Sequence, residues 1–509
     1  MVSCSRLVRL LSDRTLLGLW RKNNAIADRG RQGARRAAGL RAAMVLSVLA
    51  ASVGLIAQPA VQPPNWTAVE EETMRHFQAL VRLDTSNPPG NEHVAVEYVK
   101  QLFDKEGIPA QVFALDPNRS NVVARLKGNG QKRPLLVMGH TDVVTVDAAK
   151  WKHPPFSATR DGGYVYGRGT VDDKDNLTAG VMTMLLLKRL NLPLARDVVF
   201  LAESGEEGNS NFGIQYMVGQ QFPEIEAEYC LAEGGGVTRI NGEVKYATVQ
   251  TLEKIPRGIE LVARGISGHG SVPLKSNAIV HLAGGVAKIG AWRPDIRFNE
   301  TTGTYFRKLA AISPPDVAKY YRDVLSTDPK VRTAADDWLF ENEPRHSSML
   351  RTSVSPNIFA GGYRSNVIPS EAKATLDVRM LPDENPTDFL EQVRRVVNDP
   401  GVEVRFAAQN TRPAGPDARL DSEAFKALEA AATRVYNTVT LPTMSTGATD
   451  MAQLRAKGVQ CFGIGPATDM EDGPKGFGAH SDQERILESE LHRFVRFNWE
   501  VVTDLARAK

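Results

Sequence analysis

The stretch Leu135-Leu136-Val137-Met138-Gly139-His140-Thr141-Asp142 decides the fold. Four consecutive apolar residues after Pro134 read as a strand buried on both faces, and the abrupt change to small and polar residues marks its exit from a sheet. Open α/β sheets bind ligands at that edge. An imidazole there, with a carboxylate two residues on, suits a zinc ligand beside its electrostatic support. A lone histidine after a strand is more often a hydrogen-bonded structural residue, so the reading depends on how the other apolar runs end.

Two of them end the same way. Asp197 to Ala202 runs into Glu203-Ser204-Gly205-Glu206-Glu207-Gly208, and Tyr229-Cys230-Leu231-Ala232 into Glu233-Gly234-Gly235-Gly236. Paired glutamates between glycines are poor helix material; the plain alternative is a mobile acidic loop. Glycines permit close backbone approach to a ligand. His140, Glu206-Glu207 and Glu233 thus share one edge of one sheet. Between the first two runs, Gly167-Arg168-Gly169-Thr170-Val171-Asp172-Asp173-Lys174 leads into an apolar helix at Leu177 to Leu190. Its aspartates read either as helix caps or as further ligands.

Strands alternating with helices predict an α/β fold with a mostly parallel sheet and helices on both faces. From about Lys254 the texture changes to alternating strands around helices, which predicts an inserted α+β domain. The expected division is residues 1–64 as a basic N-terminus, apolar segment and linker, 65–253 as the first part of a catalytic domain, 254–409 as the insertion, and 410–509 as the second part. The insertion carries Ser267-Gly268-His269-Gly270, whose plain reading is a turn. The last part carries Phe477-Gly478-Ala479-His480.

Composition excludes some functions. The formal charge of the 509 residues is +3, but residues 1–43 hold ten Arg or Lys against Asp13 and Asp28, a local +8, which leaves −5 for the remainder. The folded body is mildly acidic and has no basic face for nucleic acid. Cys4, Cys230 and Cys461 form neither a disulfide framework nor a CxxC zinc site, so any metal is held by His and carboxylates. The apolar run at Ala42 to Ala57 suits a signal-peptide core. The protein is therefore expected to be exported, periplasmic or secreted, or membrane-anchored if the segment is retained.

Of nine histidines, only His140, His269 and His480 combine glycine-rich loops with nearby carboxylates. Two His and three carboxylates suffice for two divalent ions a few ångström apart, an arrangement that polarises a carbonyl and activates water. Imidazole and carboxylate without thiolate favour zinc, with cobalt or manganese as alternatives.

These motifs together resemble the zinc peptidase family that contains aminoacylase, acetylornithine deacetylase, succinyl-diaminopimelate desuccinylase, carnosinase and glutamate carboxypeptidase, over about residues 66–506. The resemblance implies that His140 and Glu233 hold one zinc, Glu207 and His480 the other, and that Asp172 bridges both. It implies that Asp142 orients His140 and that Glu206 takes a proton from water and returns it to the leaving amine. His269 would stabilise the oxyanion from a lid and dimerisation domain, in many members from the partner subunit, so a homodimer is expected. Asn366 and Arg379 would hold the substrate, although an ordinary surface charge is the plain reading of Arg379. Asp175 departs from the family's usual Gly. Glu at position 233 tilts the expectation toward N-acyl amino acids over peptides. The rival readings are an exported carboxypeptidase or dipeptidase of the same family, and a non-catalytic binding protein with the same fold.

Overall fold

A computed structural model describes residues 63–408 and 412–508. The N-terminal basic and apolar segments, and with them the expected signal or anchor, lie outside the described residues. Among those described, no helix is long and apolar enough to cross a membrane.

The organising strand is Leu135–His140. It pairs in parallel with Val198–Glu203 on one side and Tyr229–Ala232 on the other, and Gln460–Gly463 extends the parallel set. Both faces of the strand are covered. Leu135 and Val137 join an apolar cluster with Phe200, Leu231 and Val181, while Leu136 and Met138 join a second with Leu201, Cys230 and Cys461. Each such side chain contributes about 1.5–3 kcal/mol by burial. The helix Lys174–Arg189 is buried from Lys174 through Leu187. It lies in the first cluster together with Phe494, Val501 and Leu505 of the C-terminal helix Glu488–Ala506.

The sheet is mixed, which corrects the expectation of a mostly parallel one. Ser120–Leu126 pairs antiparallel with Val198–Glu203, and Ala110–Ala114 lies outside it. On the far side Glu243–Glu253 runs antiparallel to Gly236–Ile240 and parallel to Thr440–Ser445. The reason is connection length. Parallel pairing needs a crossover helix, whereas Ile240 and Glu243 are joined through Asn241 and Gly242, both with positive φ, a tight hairpin turn that returns the chain antiparallel.

A second, antiparallel sheet orders its strands Ser353–Gly361, Glu371–Met380, Ile255–Arg264 and Val402–Phe406. Ala372, Ala374, Leu376, Val378 and Met380 alternate into a core shared with helices Ala278–Ala291 and Pro386–Val397. The helices between Glu300 and Met349 lie within the predicted insertion in sequence, yet they share apolar contacts with the first sheet. Tyr305, Phe306, Leu309 and Leu339 cluster with Leu252, Leu441 and Met444.

Candidate metal centre

His140, Glu203 and Ala232 end three adjacent parallel strands, with His140 and Glu203 in register. The loops beyond them converge. His140 Nε2 lies 3.0 Å from Asp172 Oδ1 and 4.0 Å from Glu233 Oε2. His480 Nε2 lies 3.0 Å from Asp172 Oδ2 and 2.9 Å from Glu207 Oε1. Two sets of donor atoms result, His140–Asp172–Glu233 and Asp172–Glu207–His480, each compact enough for one ion and sharing Asp172.

Local sequence explains how the donors reach these places. Gly205, with φ +82°, turns the chain sharply after Ser204; a Cβ there would stand 2.3 Å from the Asn209 carbonyl oxygen, so the turn that presents Glu206 and Glu207 needs glycine. His480 also has a left-handed backbone, φ +64°, in the short loop before the final helix, a conformation that functional loops hold at some cost. Asp172 and Asp173 divide their labour. Asp172 enters the donor cluster, while Asp173 accepts from the backbone N–H of His140 at 3.2 Å and from Asn176 Nδ2 at 2.6 Å. Capping of the helix by a side chain is not what this pair does.

His140 Nδ1 is 2.9 Å from the backbone carbonyl of Asp142 and 3.5 Å from its carboxylate. A carbonyl only accepts, so Nδ1 carries the proton and Nε2 is left as the donor for a metal. The Asp142 carboxylate itself accepts from the backbone N–H groups of Gly205, Glu206 and Glu207 at 3.0, 3.2 and 3.1 Å, and from Asn87 Nδ2 at 2.8 Å. It therefore positions the glutamate loop as much as the histidine.

The electrostatics call for cations. Burial, with Glu233 and Asp450 nearby, pushes the Glu206 carboxyl well above its usual range. Burial and neighbouring aspartates do the same to Glu233. Hydrogen bonds donated to the Asp172 and Glu207 carboxylates raise the His480 imidazole to about 10. For Asp142 burial works upward, but the bonds from His140 and Asn87 win and hold its carboxyl below the ordinary range. Glu203 Oε2 and Asp450 Oδ2 are buried without a hydrogen-bond partner among the described residues. They border a small space with His140, Asp173 and Glu233. A crowd of buried carboxylates with orphaned oxygens and two imidazoles is what divalent ions would neutralise, and the donor set fits zinc.

The chain just before Asp172 is also tied from behind. Arg168 Nη1 donates to Glu484 Oε2 at 2.6 Å, both side chains being buried, and Glu484 Oε1 accepts from Val171 N at 2.9 Å. Arg412 Nη2 lies 3.0 Å from Asp450 Oδ1 and 4.0 Å from Glu206 Oε1. Sequence reading did not single out Asn87, Glu203, Arg412, Asp450 or Glu484. Their roles come from long-range packing, and only the adjacency of Glu484 to the His480 loop and of Asn87 to a Pro-Pro-Gly turn was visible.

His269, Asn366 and Arg379 stand apart from this cluster. His269 is exposed, on a two-residue strand paired with Val367, and Nδ1 meets Ser271 Oγ at 2.7 Å. Asn366 is exposed on the partner turn. The Arg379 guanidinium is paired with Asp377 on its own strand at 2.8 and 3.1 Å. Asp175 is fully buried, and burial raises its carboxyl to about 8.

A family model described as Peptidase family M20/M25/M40 matches residues 136–503, which hold every member of the donor cluster. The chain belongs to this peptidase family. Over 335 residues it is 30% identical to a probable carboxypeptidase S-like 2 of Dictyostelium discoideum, covering 62% of each chain. It is 29% identical to the N-fatty-acyl-amino acid synthase/hydrolase PM20D1 of Homo sapiens, covering 62% of this chain and 64% of that one. The chain thus spans under two thirds of the length of these two relatives. It is also 29% identical to a probable succinyl-diaminopimelate desuccinylase of Staphylococcus aureus, over 65% of this chain and 73% of that one. In fold it is similar to an M20 family metallo-carboxypeptidase of Sulfolobus solfataricus, with TM-score 0.65, 21% identity, and coverage of 85% of this chain and 98% of the other.

Proposed function

We propose that the protein is a di-zinc amidohydrolase that cleaves the amide bond of N-acyl amino acids or short peptides. The observation that carries this is the sharing of Asp172 between two three-donor sets, with His140 and Glu233 on one side and Glu207 and His480 on the other. Zinc, or cobalt or manganese in the same donors, would supply Lewis acidity to the scissile carbonyl and to water when bound. Glu206 is the neighbour of Glu207 on the same loop, and neither donor set uses it. Fixed by its backbone N–H on Asp142, it accepts a proton at Oε1 or Oε2 and returns it to the leaving nitrogen.

His269 would act from the partner subunit of a homodimer. In support, Ser353–Gly361 is an edge strand of the second sheet, and it exposes Ile358 and Phe359.

The test is Glu206→Gln in the zinc-loaded full chain. Turnover of N-acetyl, N-succinyl, long-chain acyl and dipeptide substrates falls by about a hundredfold or more while metal content is kept. Unchanged turnover removes Glu206 from its role. Two metals per chain with no activity on any of these substrates favours a non-catalytic binding protein.

A further inference from the structure

We propose that Arg485 is a positioning residue for the second ion: held between two aromatic rings, it fixes the loop that carries His480, and with it the affinity of the Asp172–Glu207–His480 donor set. This rests on the metal-centre reading above and adds to it a residue outside both donor sets.

The two donor sets differ in how their histidines are held. His140 ends a buried strand and its side chain is 1% exposed, whereas that of His480 is 53% exposed. His480 lies on an excursion between the short strands Ala467–Asp469 and Arg485–Leu487. Backbone bonds there close on the excursion itself: Phe477 N–H donates to the Asp472 carbonyl at 2.8 Å, and Ser481 N–H to that of Gly478 at 3.1 Å. Such bonds shape a loop without fixing where it lies. The left-handed backbone of His480 costs free energy, so this loop relaxes unless its surroundings hold it.

Arg485 supplies that hold. It stands on a strand paired antiparallel with Tyr164–Tyr166. Its guanidinium carbon lies 3.9 Å from the Tyr164 ring centroid and 3.9 Å from that of Phe477, three residues before His480. One ring belongs to the body of the domain and the other to the loop, so the cation joins them. Nη2 and Nε donate to the Asp472 carboxylate, also on the loop, at 2.6 and 3.3 Å, and Nη1 donates to Tyr166 Oη at 3.0 Å. The Arg485 and Asp472 side chains are largely shielded from solvent, where cation–π contacts and charge-assisted hydrogen bonds gain strength. A flat, delocalised fork meets all four groups at once, which a lysine ammonium cannot do.

The test titrates zinc into the metal-free full chain against a chromophoric chelator. Arg485→Met keeps an apolar contact with the rings but removes the charge and the donors. It weakens one of the two ions by about tenfold or more and leaves the other unchanged, and Arg485→Lys recovers part of the loss. In a His480→Ala background the same substitution does not change the affinity of the remaining ion. Equal weakening of both ions, or of neither, overturns the proposal. Hydrogen exchange of the metal-free chain, read by mass spectrometry, gives a second measure. Peptides covering residues 472–481 exchange faster in Arg485→Met while the rest of the chain is unmoved; unaltered exchange in that loop refutes the clamp whatever the metal content or activity. Selective weakening of one ion in a chain that hydrolyses no amide upholds the clamp and sinks the hydrolase alone. Fewer than two ions in the wild type sinks the di-zinc reading, and loop exchange then decides the clamp by itself.

Discussion

The carboxylate of Asp142 lies beneath the glutamate loop and accepts the backbone N–H of Glu206 at 3.2 Å. One side chain therefore sets the position of both the proposed proton carrier and, through the next amide, the candidate ligand Glu207. Asp142→Asn replaces one acceptor oxygen by an N–H₂ that faces N–H donors, so the loop shifts while the fold survives. We expect kcat to fall by about 10–100-fold, the usual cost of losing such a supporting contact. Steady-state kinetics beside zinc analysis checks it, and an unchanged kcat would show that the loop holds itself.

The two donor sets are separable because only Asp172 belongs to both. His480→Ala removes the imidazole from one set and leaves His140, Asp172 and Glu233 in place. Zinc per chain, measured by plasma mass spectrometry after dialysis, should fall from two to one, whereas Asp172→Ala should lose both. Equal losses in the two variants would mean a single shared site.

Arg412 approaches Glu206, the proposed base. Its Nη2 is 3.0 Å from Asp450 Oδ1 and 4.0 Å from Glu206 Oε1, and burial raises Asp450 to about 7 despite that cation. Arg412→Ala withdraws positive charge from two buried carboxyls, which favours their protonated forms. The acidic limb of the pH–rate profile should move to higher pH, with turnover at neutral pH down about tenfold, and Arg412→Lys should recover part of the loss. A fall in rate with an unmoved limb would assign Arg412 a structural role only.

How much of this was legible in the sequence follows from the range of the forces involved. The strand Leu135–His140 was legible because its burial on both faces leaves an unbroken apolar run, and its candidate ligand because the run stops at His140. The meeting of Asp172, Glu207 and His480 was implied by family motifs alone, since no local rule places residues so distant in sequence together. The direction of the flanking strands was missed because apolar patterning records burial and says nothing of strand direction. The helices from Glu300 to Met349 were read as part of the insertion because polarity along the chain does not say which sheet a helix packs against. Arg379 carried a family role, and here its guanidinium lies against Asp377, two residues away on the same face of its strand.

The junction between the two sheets yields a prediction about pH. Lys254 stands between the strands Glu243–Glu253 and Ile255–Arg264 and is fully buried. Its Nζ donates to the Ser348 carbonyl at 2.9 Å and to Ser353 Oγ at 2.8 Å. Burial first, then Arg379 and Arg351, lowers its pKa from 10.5 to about 7. Between these two values the unfolded chain keeps a proton that the folded chain has released, so unfolding becomes less favourable as pH rises. Below the folded value the group opposes folding in full. Over the window the contribution grows by at most about 1.4 kcal/mol per pH unit. Lys254→Met removes the titration. The stability of the wild type relative to this variant, from urea midpoints of the metal-free chain, should therefore climb from pH 7 to pH 10. A constant difference would show that Lys254 stays charged in the interior.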